Sequence, residues 1–439
     1  MVYKFHSIKG RGGFARVDIV TDEQGAFFAQ KTYDPQQNLV IAVGDAHLKQ
    51  RFIKEARYQS AISHPNVVRI ICSFLQQDPP AFIMPVANCT LRDELDYDPT
   101  LGKNLNQALF DILAGLEHIH SLDIVHRDLK PANILRFTAD DGSNFYAISD
   151  FGLMSAVNSD SSTLTGTNAG GGTENYAAPE LRDDFRRATA AADIYAFGAI
   201  LHDIFDTTGK RIPYTELTLP GPLGKIVEKC TKNLPIRRYA NVAILRDELY
   251  QALTTQPVKF NSTGEQHVVA LLQSGSVLTD AEWDQVFFQI ERNISKGLSI
   301  GTILKALSIA HIQHMGATAP ELFAAMGSYY AEHIACSSFD FDYCDILASK
   351  AEHFYVDSGV GLKANIALAL LELGTSHNRW YVERKAAAML DNTIPNVLAD
   401  RIRMEIIQQA INFKDKIAHM TRSIGFDKNS LHPTLLAMI

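Results

Sequence analysis

Residues 124–135, IVHRDLKPANIL, place His126, Arg127, Asp128, Lys130 and Asn133 in one short loop behind the apolar helical stretch LNQALFDILAGLEHIHSL. An aspartate in such a loop can accept or orient a hydroxyl proton, and a lysine two residues on can neutralise charge on a transferred phosphoryl group. Asn133 adds an oxygen ligand of the hard type that Mg²⁺ prefers. Phosphoryl transfer also needs donors around the remaining phosphates, a lysine to orient them and a second metal ligand. Working outward from the loop, the chain supplies these in a consistent order. ISDFGL puts Asp150 just after a predicted strand, as the second oxygen ligand. Upstream, Lys31 in FFAQK lies on a strand from which its ammonium can reach α- and β-phosphates, and Glu55 in a following helix can pair with it. Before them, IKGRGGFARVDIV (8–20) carries Gly10, Gly12 and Gly13 between two predicted strands, with Val17 placed to cover a base. Glycines alone serve any tight turn. Beside Lys31, Glu55, Asp128, Asn133 and Asp150 they read as a loop over phosphates.

In order along the chain, GRGGFARV, AQK, Glu55, HRDLKPAN, DFG, the APE of AAPE and DIYAFG resemble the signature set of the eukaryotic-type (Hanks-type) serine/threonine protein kinases, over residues 1 to about 253. The resemblance implies an α+β bilobal fold with a small β-rich N-lobe and a mainly helical C-lobe, with ATP and Mg²⁺ or Mn²⁺ as cofactors. It makes Asp128, Lys130, Lys31, Glu55 and Thr173 the catalytic set and Asn133 and Asp150 the metal ligands. Nucleotide binding falls to Gly10, Gly12, Gly13, Val17, Ala29, Lys31, Asn133 and Asp150, with Met84 as gatekeeper and Pro85, Val86 and Ala87 as hinge. It also implies that Asp193 holds the catalytic-loop backbone and that Glu180 pairs with Arg238. The resemblance further implies, through Lys130, serine or threonine acceptors in protein substrates. The alternatives are a kinase acting on a small molecule or lipid, against which stand Ala178-Pro179-Glu180 and Thr173, and a nucleotide-binding pseudokinase scaffold, against which stand Lys31, Asp128, Asn133 and Asp150, all present. Two departures are Ala15 at the third glycine position, one methyl group where the loop bends over the phosphates, and Pro85, which removes a hinge donor.

The 439 residues exceed one typical core, and 46% hydrophobic with 21% charged residues reads as globular. A net charge of -8 and a pI near 6.0 disfavour dedicated nucleic-acid binding. Five dispersed cysteines, without a C-x-x-C pair, read as reduced and mostly buried thiols. The opening MVYKFHSIKG has no apolar leader core, and no uncharged apolar run approaches the roughly 18 residues of a membrane span. The expectation is therefore a cytoplasmic protein, with an effector exported by an unconventional route as the other reading.

The domain expectation is an N-lobe with hinge over 1–87, a C-lobe over 88–253, a polar linker over 254–265 and an all-α accessory or regulatory domain over 266–439. In the last, Thr279 and Glu282 have capping-box spacing, and Trp283, Val286, Phe287, Ile290 and Ile294 fall on one helical face. Gly316 and Gly374 are expected to stop helices, and Pro320 to start one. Between Asp150 and Glu180, MSAVNSDSSTLTGTNAGGGTENY is rich in serine, threonine and glycine. With Arg127 beside Asp128, it suggests autophosphorylation among Ser159, Ser161, Ser162, Thr163, Thr165 and Thr167, with self-association serving it in trans.

Overall fold

The computed structural model describes residues 3–139, 142–151, 155–156, 173–182, 188–206, 211–254, 260–275 and 277–439. The chain divides into two compact units, Met1–Leu253 and Thr254–Ile439.

The first unit begins with strands β1 (Lys4–Arg11), β2 (Ala15–Thr21) and β3 (Phe27–Tyr33), then helices α1 (Gln37–Val43) and α2 (Asp45–Ala61), then β4 (Cys72–Phe74) and β5 (Ala81–Pro85). The strands form one antiparallel sheet in the order β1-β2-β3-β5-β4. Leu48, Phe52 and Ala56 recur at helical spacing on α2 and are buried with Leu39 of α1, a short helix that the β-rich reading of this region did not include. Strand β6 (Cys89–Thr90), α3 (Leu91–Tyr97), α4 (Leu105–Ser121) and β7 (Ile124–Val125) follow, and then the hairpin β8 (Ile134–Thr138) and β9 (Asn144–Ile148). The unit continues through β10 (Ser155–Ala156), α5 (Ala190–Phe205), α6 (Gly221–Cys230) and α7 (Val242–Leu253). Buried residues nearly cover α4 and α5, so these helices form the core of the helical half. Gly115 lets α4 approach closely, since a Cβ there would stand 2.5 Å from the Asn66 carbonyl oxygen. The β-rich start, the helical remainder and the further helices beyond are the α+β kinase-type fold followed by an all-α region that the sequence predicted.

The second unit is helical throughout its described residues: α8 (Thr263–Ser274), α9 (Asp280–Ser295), α10 (Gly301–Ala306), α11 (Ile309–Thr318), α12 (Pro320–Cys336), α13 (Phe341–Val356), α14 (Val360–His377), α15 (Trp380–Ala388), α16 (Asn396–Gln408), α17 (Phe413–Ile424) and α18 (Pro433–Leu436). Helix α8 starts inside the segment read as a linker because Ser262 accepts a hydrogen bond from Glu265 N and caps it. The Thr279–Glu282 capping box is present at α9. The face of α9 is not the purely apolar one expected: Trp283, Val286 and Ile290 are buried, but Ile294 is exposed and Gln289 and Asn293 are buried. Gln289 Nε2 donates to Asn293 Oδ1 at 2.6 Å, and Asn293 Nδ2 to the Ser299 carbonyl at 3.2 Å, so the polar pair is satisfied inside.

Neither glycine stops its helix. Gly316 lies within α11 and Gly374 within α14, which ends on left-handed Asn378. At Gly374 a Cβ would meet Glu383 N at 2.9 Å, so this residue admits α15 rather than ending α14. Helix α14 is apolar almost all round and packs against α12, α13, α15, α16 and α17, as a central helix must. The five cysteines are free, with Cys230 and Cys344 buried but Cys336 exposed and Cys72 and Cys89 half-buried, so the thiols are less uniformly internal than expected. No helix among the described residues is long and apolar enough to cross a membrane.

Arg379, at the start of α15, donates twice to Asp345 of α13, both bonds at 2.8 Å, and its guanidinium lies 4.1 Å from the centre of the Phe341 ring. Both charged side chains are buried. Asp345→Ala therefore leaves an uncompensated buried cation and should cost about 3–5 kcal/mol in denaturant unfolding. Arg401→Ala, which removes the exposed partner of a Glu405 carboxylate that Gln409 also bonds, should cost less, about 1 kcal/mol.

Candidate active site

Lys31 sits in mid-sheet, with β3 paired to β2 on one side and β5 on the other. Its Nζ is 2.7 Å from Glu55 Oε1 on α2 and 3.3 Å from Asp150 Oδ1, just beyond β9. Burial works against the ammonium, but the Asp150 and Glu55 carboxylates outweigh it and hold the Lys31 pKa above its ordinary value. Burial likewise pushes Asp150 up, and Lys31 and Lys130 more than reverse this, keeping its carboxylate charged.

The 126–133 loop is held from below by Asp193 of α5. Its carboxylate accepts from His126 N and Arg127 N at 2.8 Å each, and lies 2.8 Å from His120 Nε2. These bonds satisfy amides that no strand or helix can pair, in a loop where Arg127 has a left-handed φ of 71°. Lys130 Nζ donates to Asp128 Oδ2 at 2.8 Å, and Asn133 Nδ2 donates to the Asp128 carbonyl at 2.8 Å and to Oδ2 at 3.2 Å. Burial raises the Asp128 pKa above the usual carboxylate value, with Lys130 only partly offsetting it. Behind them His126 is fully buried, its Nε2 2.9 Å from the Ser149 carbonyl and its ring against Phe151. Further away, Arg238 donates two 2.7 Å bonds to Glu180, so both supporting contacts named in the sequence have formed.

Val17, Ala29, Met84, Val86 and Ala87 belong to one apolar cluster on the sheet side, joined by Leu135 and Ala147 from the hairpin. Leu135 was missed in the sequence, although strand alternation was the available signal: Ile134 enters the helical core and its neighbour must face the other way. Pro85 pairs with Phe28 at the end of β5. Gly10 and Gly12 have no left-handed backbone, and a Cβ at Gly10 would meet nothing within 4 Å. The chain's own packing therefore does not require glycine at position 10, which leaves room for a ligand to approach the backbone. Gly13 follows in the same turn, its carbonyl accepting from Gln36 N at 2.9 Å. Ala15 does not face the phosphate side as expected: it is buried in the core with Tyr33 and Leu39, since β2 already begins there.

The donor set fits a magnesium nucleotide. Among the described residues no group of three or more His, Cys, Asp or Glu gathers to hold a metal. Asn133 and Asp150 offer the sparse oxygen set of an ion that keeps its waters and takes further ligands from phosphates. Thr173 lies in a short turn, Thr173–Asn175, and its side chain is outside the described residues, as are Gly152 and the set Ser159, Ser161, Ser162, Thr163, Thr165 and Thr167.

A two-part α+β unit with a buried Lys–Glu pair beside the 126–133 loop and Asp150 is the arrangement that the resemblance to protein kinases implies. The family model described as protein kinase domain matches residues 3–216, so this segment is similar to protein kinase domains. Serine/threonine-protein kinase PkaA of Streptomyces coelicolor is 30% identical over 213 residues, covering 44% of this chain and 38% of that protein. PrkC of Bacillus subtilis is 32% identical over 218 residues, covering 48% and 31%. PknB of Mycobacterium tuberculosis is 25% identical over 327 residues, covering 67% and 47%. The chain thus spans about a third to a half of the length of these relatives.

Lys130 stabilises the charged form of Asp128, so its removal should favour the protonated form. In Lys130→Ala the Asp128 carboxyl should titrate at higher pH than in the parent, read from its ¹³C chemical shift; an unchanged or lower midpoint contradicts the assignment.

Proposed function

We infer that the protein is an ATP- and Mg²⁺-dependent serine/threonine protein kinase. The observation that carries this reading is Lys31, bonded at once to Glu55 and Asp150 and so poised to orient phosphates beside the Asp128–Lys130–Asn133 loop. Asp128 accepts the proton of a serine or threonine hydroxyl as its oxygen bonds the γ-phosphorus and the bond to the β-bridging oxygen breaks. Lys130 balances charge on the moving phosphoryl group, and Asn133 and Asp150 are the residues that would hold a Mg²⁺, which would supply further neutralisation when bound. The names of the similar proteins support a hydroxyl acceptor on protein. Incubated with labelled ATP, Mg²⁺ and a generic protein substrate, the wild type should transfer phosphate. Asp128→Asn should lose about 10²- to 10⁴-fold and Lys31→Ala about 10²- to 10³-fold. Nucleotide binding without any transfer by the wild type would instead assign a scaffold.

Autophosphorylation within 159–167 forms part of the reading, supported by that segment's composition and by Arg127 beside Asp128. Phosphopeptide mapping of the active protein should find phosphate there and none in Asp128→Asn; an unmodified segment in active enzyme removes the idea. The second unit, with its own core, is assigned a role in regulation or partner docking.

A further inference from the structure

We propose that Arg51 is a positioning residue that couples the tip of the glycine loop to the helix carrying Glu55. The catalytic side of this inference rests on the kinase reading above; the coupling itself does not. Phe14 is the tip residue between Gly13 and Ala15, half-buried against the core of the sheet half. Its backbone is anchored, because Asp34 N donates to the Phe14 carbonyl at 3.1 Å. The ring is met from α2 by Arg51, whose guanidinium carbon lies 5.7 Å from the ring centre, within cation–π range. Arg51 precedes Glu55 by one helical turn, so both project from the same face of α2.

The surroundings explain why this contact matters. Among the described residues, the charged groups acting on Arg51 include Glu55 of its own helix, Asp150 beyond β9, and Arg127 and Asp128 of the catalytic loop. Arg51 therefore stands where the glycine loop, α2 and the aspartate loop converge. Glu55 holds Lys31 directly, whereas Arg51 holds the loop that covers what Lys31 would orient. A displacement of the Phe14 ring as the loop settles over phosphates is opposed or favoured by a cation fixed to α2. Loop closure and placement of the Lys31–Glu55 pair then become one event.

The test is a double-mutant cycle on the full chain, reading the Kd of a non-hydrolysable ATP analogue with Mg²⁺ by calorimetry. Arg51→Ala and Phe14→Leu, which keeps apolar bulk without the aromatic face, should each weaken binding about threefold to tenfold. The double variant should be no weaker than the weaker single, and Arg51→Lys should recover most of the loss. If Arg51→Ala does not fold, Arg51→Gln carries the cycle. The proposal fails if the two effects multiply in the double variant, or if a folded Arg51 variant binds within twofold of wild type. Phosphotransfer by the same proteins separates the two readings. A wild type that binds the analogue but transfers nothing overturns the kinase reading, while the cycle in Kd still decides the coupling.

Discussion

Lys31, largely out of water, meets a carboxylate from α2 at 2.7 Å and one from beyond β9 at 3.3 Å, and the arrangement of the first unit follows from keeping those charges together. Attraction between such groups is strong where solvent is scarce, and losing one partner leaves another charge buried without compensation. The sheet fixes Lys31 through two neighbouring strands, the apolar face of α2 fixes Glu55, and the β8–β9 hairpin delivers Asp150. Each element is held by ordinary apolar burial, yet they are useful together only because the charges meet.

Asp193 does for the 126–133 loop what strand pairing does elsewhere. A loop that must present Asp128, Lys130 and Asn133 in one direction cannot also satisfy its amides in a ladder, and Arg127 adopts a left-handed backbone within it. A single buried carboxylate accepts the amides of His126 and Arg127 and is itself steadied by His120. The loop's irregular shape is thus held by α5, the most thoroughly buried part of the helical half.

The second unit shows a different balance. Its centre is α14, apolar on nearly every face, and its neighbours are placed by close approach, as at Gly374, more than by charge. Gln289 with Asn293 and Arg379 with Asp345 enter the unit as matched pairs.

Much of the site was legible because its chemistry is local or ordered in sequence: Asp128, Lys130 and Asn133 lie within one loop, and Gly10, Lys31 and Asp150 follow in a consistent order. The capping box at Thr279 was legible for the same reason, since a side chain and an amide three residues apart interact without help from the rest of the chain. Ile294, Gly316, Gly374 and Ala15 were misread because each is decided by a neighbour distant in sequence or by the exact start of an element. Glycine reads as a helix stop until a second helix is seen pressing on it, and an apolar stripe holds until a buried Gln–Asn pair claims the position. The sequence alone determined which groups could do chemistry and in what order they come. Only the tertiary structure decided that Lys31 reaches Glu55 and Asp150 at once, that Leu135 joins Val17 and Met84, and that Arg51 meets Phe14, because those contacts depend on how separately formed elements pack.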